Sequence, residues 1–227
     1  MTTNDWSKGS KKISVPTLIF DFDGTLADSL DQSRQVGNVL APRFGLQPVS
    51  LETFAALREL TVAEIQKQLK IPTWKIPLFL FFFRREMLQR LPSLNCVEGM
   101  PNVLKQLQEK QVQLGILTSN TLSNVNAFLE HHQLRSYFQF VDGGVRILGK
   151  GQRLRRLLKQ NNLDPRYVFY VGDEIRDVLA AQQVGIQSVA VTWGFNTSEA
   201  LRSLQPTFLI DHPLQLLEII EMSDRDG

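Results

Sequence analysis

Short apolar-rich runs alternate with longer stretches of helical spacing through most of this chain. Val15–Phe20, Val112–Leu117 and Tyr167–Val171 are the clearest runs; each stops at polar or glycine residues and leads into a helix-like stretch. Ser188–Thr192 and Thr207–Ile210 continue the series. The spacing between and after them predicts helices over Met100–Lys110, Leu122–His132, Gly151–Asn161, Ile175–Val184 and Glu199–Leu204. A strand buried on one face alternates apolar and polar residues, and these runs do not. The pattern predicts an α/β fold, a Rossmann-like parallel sheet with helices on both faces.

One segment departs from it. From Asp28 to about Val97 the spacing is helical, no convincing strand occurs, and breaks fall near Pro42–Gly45, Pro48, Pro72, Pro77 and Pro92. Helices inserted after the first strand read as an all-helical cap, residues 28–97, over a core built from residues 1–27 and 98–227. Inside the insertion, Leu78-Phe79-Leu80-Phe81-Phe82-Phe83 is the most lipid-like stretch. Six residues fall far short of the roughly twenty that a spanning helix needs. Contiguous large apolar residues are normally covered, which favours the interior of the cap; a partner surface or an apolar wall for substrate is the alternative. Lys8, Lys11 and Lys12 are followed by no apolar stretch of the signal-peptide kind, so a soluble, cytoplasmic protein that binds no membrane is expected.

Composition narrows the classes further. With 43% hydrophobic and 21% charged residues in 227, the chain can bury a substantial core without staples. Cys96 is the single cysteine, which excludes an internal disulfide and a CxxC pair and fits a reducing compartment. A net charge of +2 is too small to suggest nucleic acid as a partner. Its distribution is uneven: nine Lys or Arg against five acids between Asp31 and Val97 give that segment +4 and the remainder −2. A basic cap facing an acidic remainder suits an anionic small molecule held between them, although a solvated helical face carries such charges equally well. Whether the chain is a monomer or a dimer is open at this stage.

The candidate chemistry lies where the strands end, since ligands of a parallel α/β sheet bind beyond the carboxyl ends of its strands. Those ends carry Asp21-Phe22-Asp23-Gly24-Thr25, Thr118-Ser119-Asn120 and Gly172-Asp173-Glu174-Ile175-Arg176-Asp177. Four of the five acids are aspartates, and carboxylates brought to one edge repel one another unless a cation neutralises them. Hard oxygen ligands suit Mg²⁺, which binds a few carboxylates together with a phosphate oxygen.

These motifs resemble those of the haloacid dehalogenase-like (HAD) hydrolase superfamily. Asp-Phe-Asp-Gly-Thr-Leu after an apolar strand is similar to its first motif and Thr118 to its second. Lys150 stands where the lysine of the third is expected, and Gly172-Asp173-x-x-x-Asp177 matches the fourth. The helical insertion between the first two motifs resembles the C1 cap of the phosphoglycolate phosphatase-like branch. The resemblance implies a Mg²⁺-dependent phosphatase acting on a small phosphate ester through an aspartyl phosphate. Asp21 would be the nucleophile and Asp23 the acid that protonates the leaving oxygen and then the base for water. Asp21, Asp173, Asp177 and the Asp23 carbonyl would hold the metal. Thr118, Ser119, Asn120 (through its amide) and Lys150 would hold the phosphoryl group and offset its charge. An i, i+2 pair points oppositely on a strand, so the chain must leave β geometry at Gly24 for Asp21 and Asp23 to act together. Arg58, ahead of the helix start at Thr61, is the candidate for contact with the leaving group; a solvated arginine is the alternative. The three histidines and Cys96 lie away from the motif ends, and Glu174 is left out of the metal shell. A phosphomutase would keep the same motifs and differ in the cap, and a non-enzymatic binding or regulatory protein on this fold is the reading from another class.

Overall fold

Thr17–Phe20 (β1), Gln113–Leu117 (β2), Phe140–Asp142 (β3), Val168–Gly172 (β4), Gln187–Val191 (β5) and Phe208–Ile210 (β6) form one sheet in a computed structural model of the chain. The structure describes residues 15–90, 93–144 and 149–223; the lysines at 8, 11 and 12 and the break expected at Pro92 lie outside them. Every pairing is parallel and the strand order is β3-β2-β1-β4-β5-β6. Five strands are the expected ones, shifted by a residue or two. β1 begins at Thr17 instead of Val15, beyond Pro16, which has no N–H to give to a ladder. β3 was not expected. It has only three residues and pairs with β2 alone at the sheet edge, too short for a periodicity to register.

The four central strands β2, β1, β4 and β5 are buried on both faces, as their apolar runs require. Leu18 and Phe20 of β1 join Phe169 and Val171 of β4 in one core cluster, while Ile19 joins Val168 and Tyr170 in another on the opposite face. Met100–Glu109 (α5), Leu122–His131 (α6) and Gln215–Ser223 (α10) supply residues to the first cluster, and Lys150–Gln160 (α7) and Ile175–Val184 (α8) to the second. A shorter helix, Ser198–Ser203 (α9), links β5 to β6.

Between β1 and α5 the described residues contain helices only: Leu30–Leu40 (α1), Leu51–Leu57 (α2), Val62–Gln68 (α3) and Ile76–Gln89 (α4), with short 3₁₀ turns. The chain leaves and re-enters the sheet layer at one place, where the Asp28 amide donates to Asn95 O (2.9 Å) and the Val97 amide to Leu26 O (3.0 Å). Val36, Leu40 and Met87 form a separate core with Phe79, Phe82 and Phe83. The Phe-rich run therefore divides. Successive residues of a helix turn through about 100°, so six in a row cannot share a face. Leu78 and Phe81 are 52% and 60% exposed while their neighbours pack inward. No helix among the described residues is long and apolar enough to cross a membrane.

Candidate active site

The strand order reverses direction beside β1, which opens a crevice at the carboxyl ends of β1, β2 and β4. Asp21 follows β1 directly, and its amide continues the ladder to Val171 O of β4 at 2.8 Å. The backbone then turns back on itself: Phe22 O accepts from the amides of Thr25, Leu26 and Ala27, and Gly24 takes φ +75°. The turn carries Asp23 off the strand onto the side where Asp21 lies. A Cβ at Gly24 or at Gly194 would collide with the Asp173 carboxylate, so both backbones approach it as only glycine can.

Asp21, Asp173 and Asp177 are buried, with one carboxylate oxygen of each within 4.8 Å of the others. Asp173 Oδ1 accepts from Thr25 Oγ1 and Oδ2 from the Phe195 amide, both at 2.7 Å. Lys150, first residue of α7, is only 3% exposed. Its Nζ donates to Asp21 Oδ2 (2.7 Å) and Asp177 Oδ1 (2.5 Å), above the Tyr170 ring at 5.3 Å. Burial alone would lower the lysine's pKa, but Asp177 and Asp21 reverse the shift and raise it, so the ammonium stays charged. Burial raises the Asp173 carboxyl well above the ordinary range, reinforced by Glu174, Asp177 and Asp21. It also pushes Asp177 up to about 6, with Lys150 opposing. Arg176 adds no net charge because it forks onto Glu174 at 2.5 and 2.8 Å. Three carboxylates facing one ammonium are a net anionic, all-oxygen donor set; they fit a hard divalent cation and suit no soft one.

Asp23 stands at the mouth of the crevice. Its carboxyl accepts from Asn120 Nδ2 at 3.0 Å. Burial lifts it to about 6, the Asp21 charge adds to the shift, and the Asn120 hydrogen bond opposes it. Thr118 is fully buried after β2. Its Oγ1 accepts the Asn120 amide at 3.0 Å, so that amide, expected to face a phosphoryl group, turns inward and it is the side chain of Asn120 that faces the site. Ser119 O accepts Arg84 of α4 at 2.8 Å. A pocket of about 70 Å³ lies between Asp23, Ser119 and Asn120 below and Leu80, Phe83, Arg84 and Met87 above.

Arg58 reaches the loop after β5. Its Nε and a terminal nitrogen donate to Phe195 O (2.7 Å) and Gly194 O (3.0 Å), so the guanidinium expected on a leaving group is engaged by backbone of the sheet layer. Asn196 completes this contact: buried, it donates to Arg58 O (2.7 Å) and Leu60 O (3.2 Å) and accepts the Ile175 amide (2.9 Å). Neither Asn196 nor Arg84 carries a local signal, because each acts on residues far away in sequence. Cys96 is partly buried and burial pushes its thiol up to about 11, far from a reactive thiolate.

Comparison with known proteins agrees with this geometry. The family model described as haloacid dehalogenase-like hydrolase matches residues 18–191. A phosphoglycolate phosphatase of Synechococcus elongatus is 40% identical over 206 residues, covering 91% of this chain and 97% of that protein. Phosphoglycolate phosphatase 1 of Pseudomonas aeruginosa is 27% identical over 217 residues, covering 89% and 79%. Among solved structures, a haloacid dehalogenase-like family hydrolase of Streptococcus pneumoniae superposes with a TM-score of 0.75 at 20% identity, covering 91% of this chain and 98% of that one, a likeness of fold.

Proposed function

Because this chain belongs to the haloacid dehalogenase-like hydrolases, we propose that it is a Mg²⁺-dependent phosphatase whose substrate is a small phosphate monoester of the phosphoglycolate kind, cleaved through an aspartyl phosphate on Asp21. The observation that carries the reading is the meeting of Asp21, Asp23 and the buried Asp173 and Asp177 at one reversal of strand order. Residues 28–97 act as a cap on a core of residues 1–27 and 98–227, a division supported by the separate hydrophobic cluster of α1 and α4.

Asp21 is held for attack on phosphorus. Its Oδ1 accepts the Phe22 amide at 2.8 Å and its Oδ2 accepts Lys150, which fixes the carboxylate against rotation. The P–O bond to the leaving alcohol breaks as Asp21 forms its own, and Asp23 gives that oxygen a proton. An acid near pKa 6 is still partly protonated at neutral pH, and once ionised it draws a proton from the water that cleaves the acyl phosphate. Thr118, Ser119 and Lys150 line the phosphoryl side. Asp21, Asp173, Asp177 and the Asp23 carbonyl would hold Mg²⁺, whose positive charge would let a dianionic ester approach these carboxylates.

Release of inorganic phosphate from a panel of esters, with Mg²⁺ and after its removal by chelator, tests the reading. 2-Phosphoglycolate should be among the best substrates, and Asp21→Asn should leave less than about 1% of kcat. Undiminished turnover without metal, or several per cent of kcat in Asp21→Asn, would overturn it.

A further inference from the structure

We infer that Arg84 is the specificity-determining residue of this site: it forms a subsite for a carboxylate on the leaving group, so that the preferred esters are phosphates of hydroxy acids. The inference rests on the phosphatase reading above and adds to it the residue that recognises the leaving group.

Four residues of α4 face the pocket: Leu80, Phe83, Arg84 and Met87, spaced i, i+3, i+4 and i+7, which is one face of a helix. Three of them are apolar, so the pocket's upper wall is hydrocarbon with a single cation set in it. The lower wall is Asp23, the candidate proton donor to the leaving oxygen, with Ser119 and Asn120. A leaving group that presents its oxygen to Asp23 therefore extends toward Arg84. One small pocket, of about 70 Å³, is lined by both Asp23 and Arg84, so a leaving group held there meets both.

Arg84 is equipped for an anion. Of its five N–H donors one nitrogen serves Ser119 O, and among the described residues no carboxylate lies within 4.0 Å of it to make an ion pair. The nearby Arg176 differs, since Glu174 neutralises it. Arg84 is partly buried, and its apolar neighbours lower the local polarity and strengthen a charge-assisted hydrogen bond to a carboxylate. Its placement over the site is fixed from below: Asn124 Nδ2 of α6 donates to Arg84 O at 3.2 Å, which ties this turn of α4 to the sheet layer.

The test compares two esters of nearly equal size, 2-phosphoglycolate and 2-hydroxyethyl phosphate, on the wild type, Arg84→Gln and Arg84→Lys. Glutamine removes the charge and leaves a shorter amide donor, whereas lysine keeps the charge at nearly the length of arginine. We expect the wild type to prefer phosphoglycolate. Arg84→Gln should lower kcat/KM for it by about 10- to 100-fold while changing the neutral ester less than about threefold, and Arg84→Lys should recover part of the loss. Equal losses on both esters would make Arg84 a structural tie to Ser119, and no loss on either would remove it from the site; both overturn the proposal. A wild type that hydrolyses the two esters equally well also overturns it and leaves the phosphatase reading standing. A wild type that cleaves neither, nor any ester of the panel, overturns that reading itself.

Discussion

Lys150 balances two carboxylates of the site at once. Its ammonium is shared between Asp21 and Asp177, all three are buried, and among the described residues no other cation lies within hydrogen-bond reach of these two carboxylates. Removing it leaves two uncompensated buried charges, a loss of about 3–5 kcal/mol for a broken buried pair. Lys150→Met should therefore lose stability by that amount in metal-free urea unfolding at about pH 8. The loss should shrink at about pH 5, where Asp177, already raised to about 6, takes up a proton in the fold. An equal loss at both pH values would show that the effect is packing of the lysine stem. At this scale the sequence was informative where chemistry is local: strand-end aspartates at fixed spacing can be read without a structure. The pairing of Asp23 with Asn120, 97 residues apart, and of Arg58 with the Gly194–Phe195 backbone cannot, since only the folded topology brings them together.

Among the elements, the contact between the α2–α3 loop and the loop after β5 stands out as a clasp. Arg58 donates to Gly194 O and Phe195 O, Asn196 donates back to Arg58 O and Leu60 O, and the rings of Phe54 and Phe195 meet edge to face at 6.0 Å. The same core loop gives the Phe195 amide to Asp173, so cap position and the acidic cluster share a support. Arg58→Ala and Asn196→Ala should each lower kcat/KM by roughly tenfold on phosphoglycolate and 2-hydroxyethyl phosphate alike, and cost about 1–3 kcal/mol in urea unfolding. A loss confined to the charged ester would return Arg58 to the leaving group. Element type was legible where runs were long and uniformly apolar, as in β1, β2 and β4. It failed for β3, whose three residues are partly exposed at an edge, and for α10, because the three-residue β6 ahead of it marks no clear boundary. The burial of Lys150 was equally invisible, because a lysine flanked by glycines at a helix start looks solvated until α7 is packed against α8.

Taken whole, the molecule places Asp23, Asp173 and Asp177 where burial disfavours their charged forms. A carboxyl whose pKa is higher in the fold than in the unfolded chain keeps a proton there that the unfolded chain has lost. Stability is then greatest below the unfolded value and falls as pH rises through the folded one. For Asp23 and Asp177 that window runs from 3.8 to about 6, so the metal-free protein should melt at progressively lower temperature across it. A divalent cation binds the ionised cluster of the folded chain and has no such site in the unfolded one. At a hundredfold excess over its dissociation constant it should add about 2.7 kcal/mol, or about 5–10 °C in Tm for a chain of this length. Because the ion competes with protons for the same oxygens, its effect should be large at about pH 8 and nearly vanish at about pH 5. Thermal melts in Mg²⁺ and in EDTA at the two pH values measure both. Superimposable curves at pH 8 would mean that Asp21, Asp173 and Asp177 hold no metal, and the charge balance of the site would have to come from Lys150 alone.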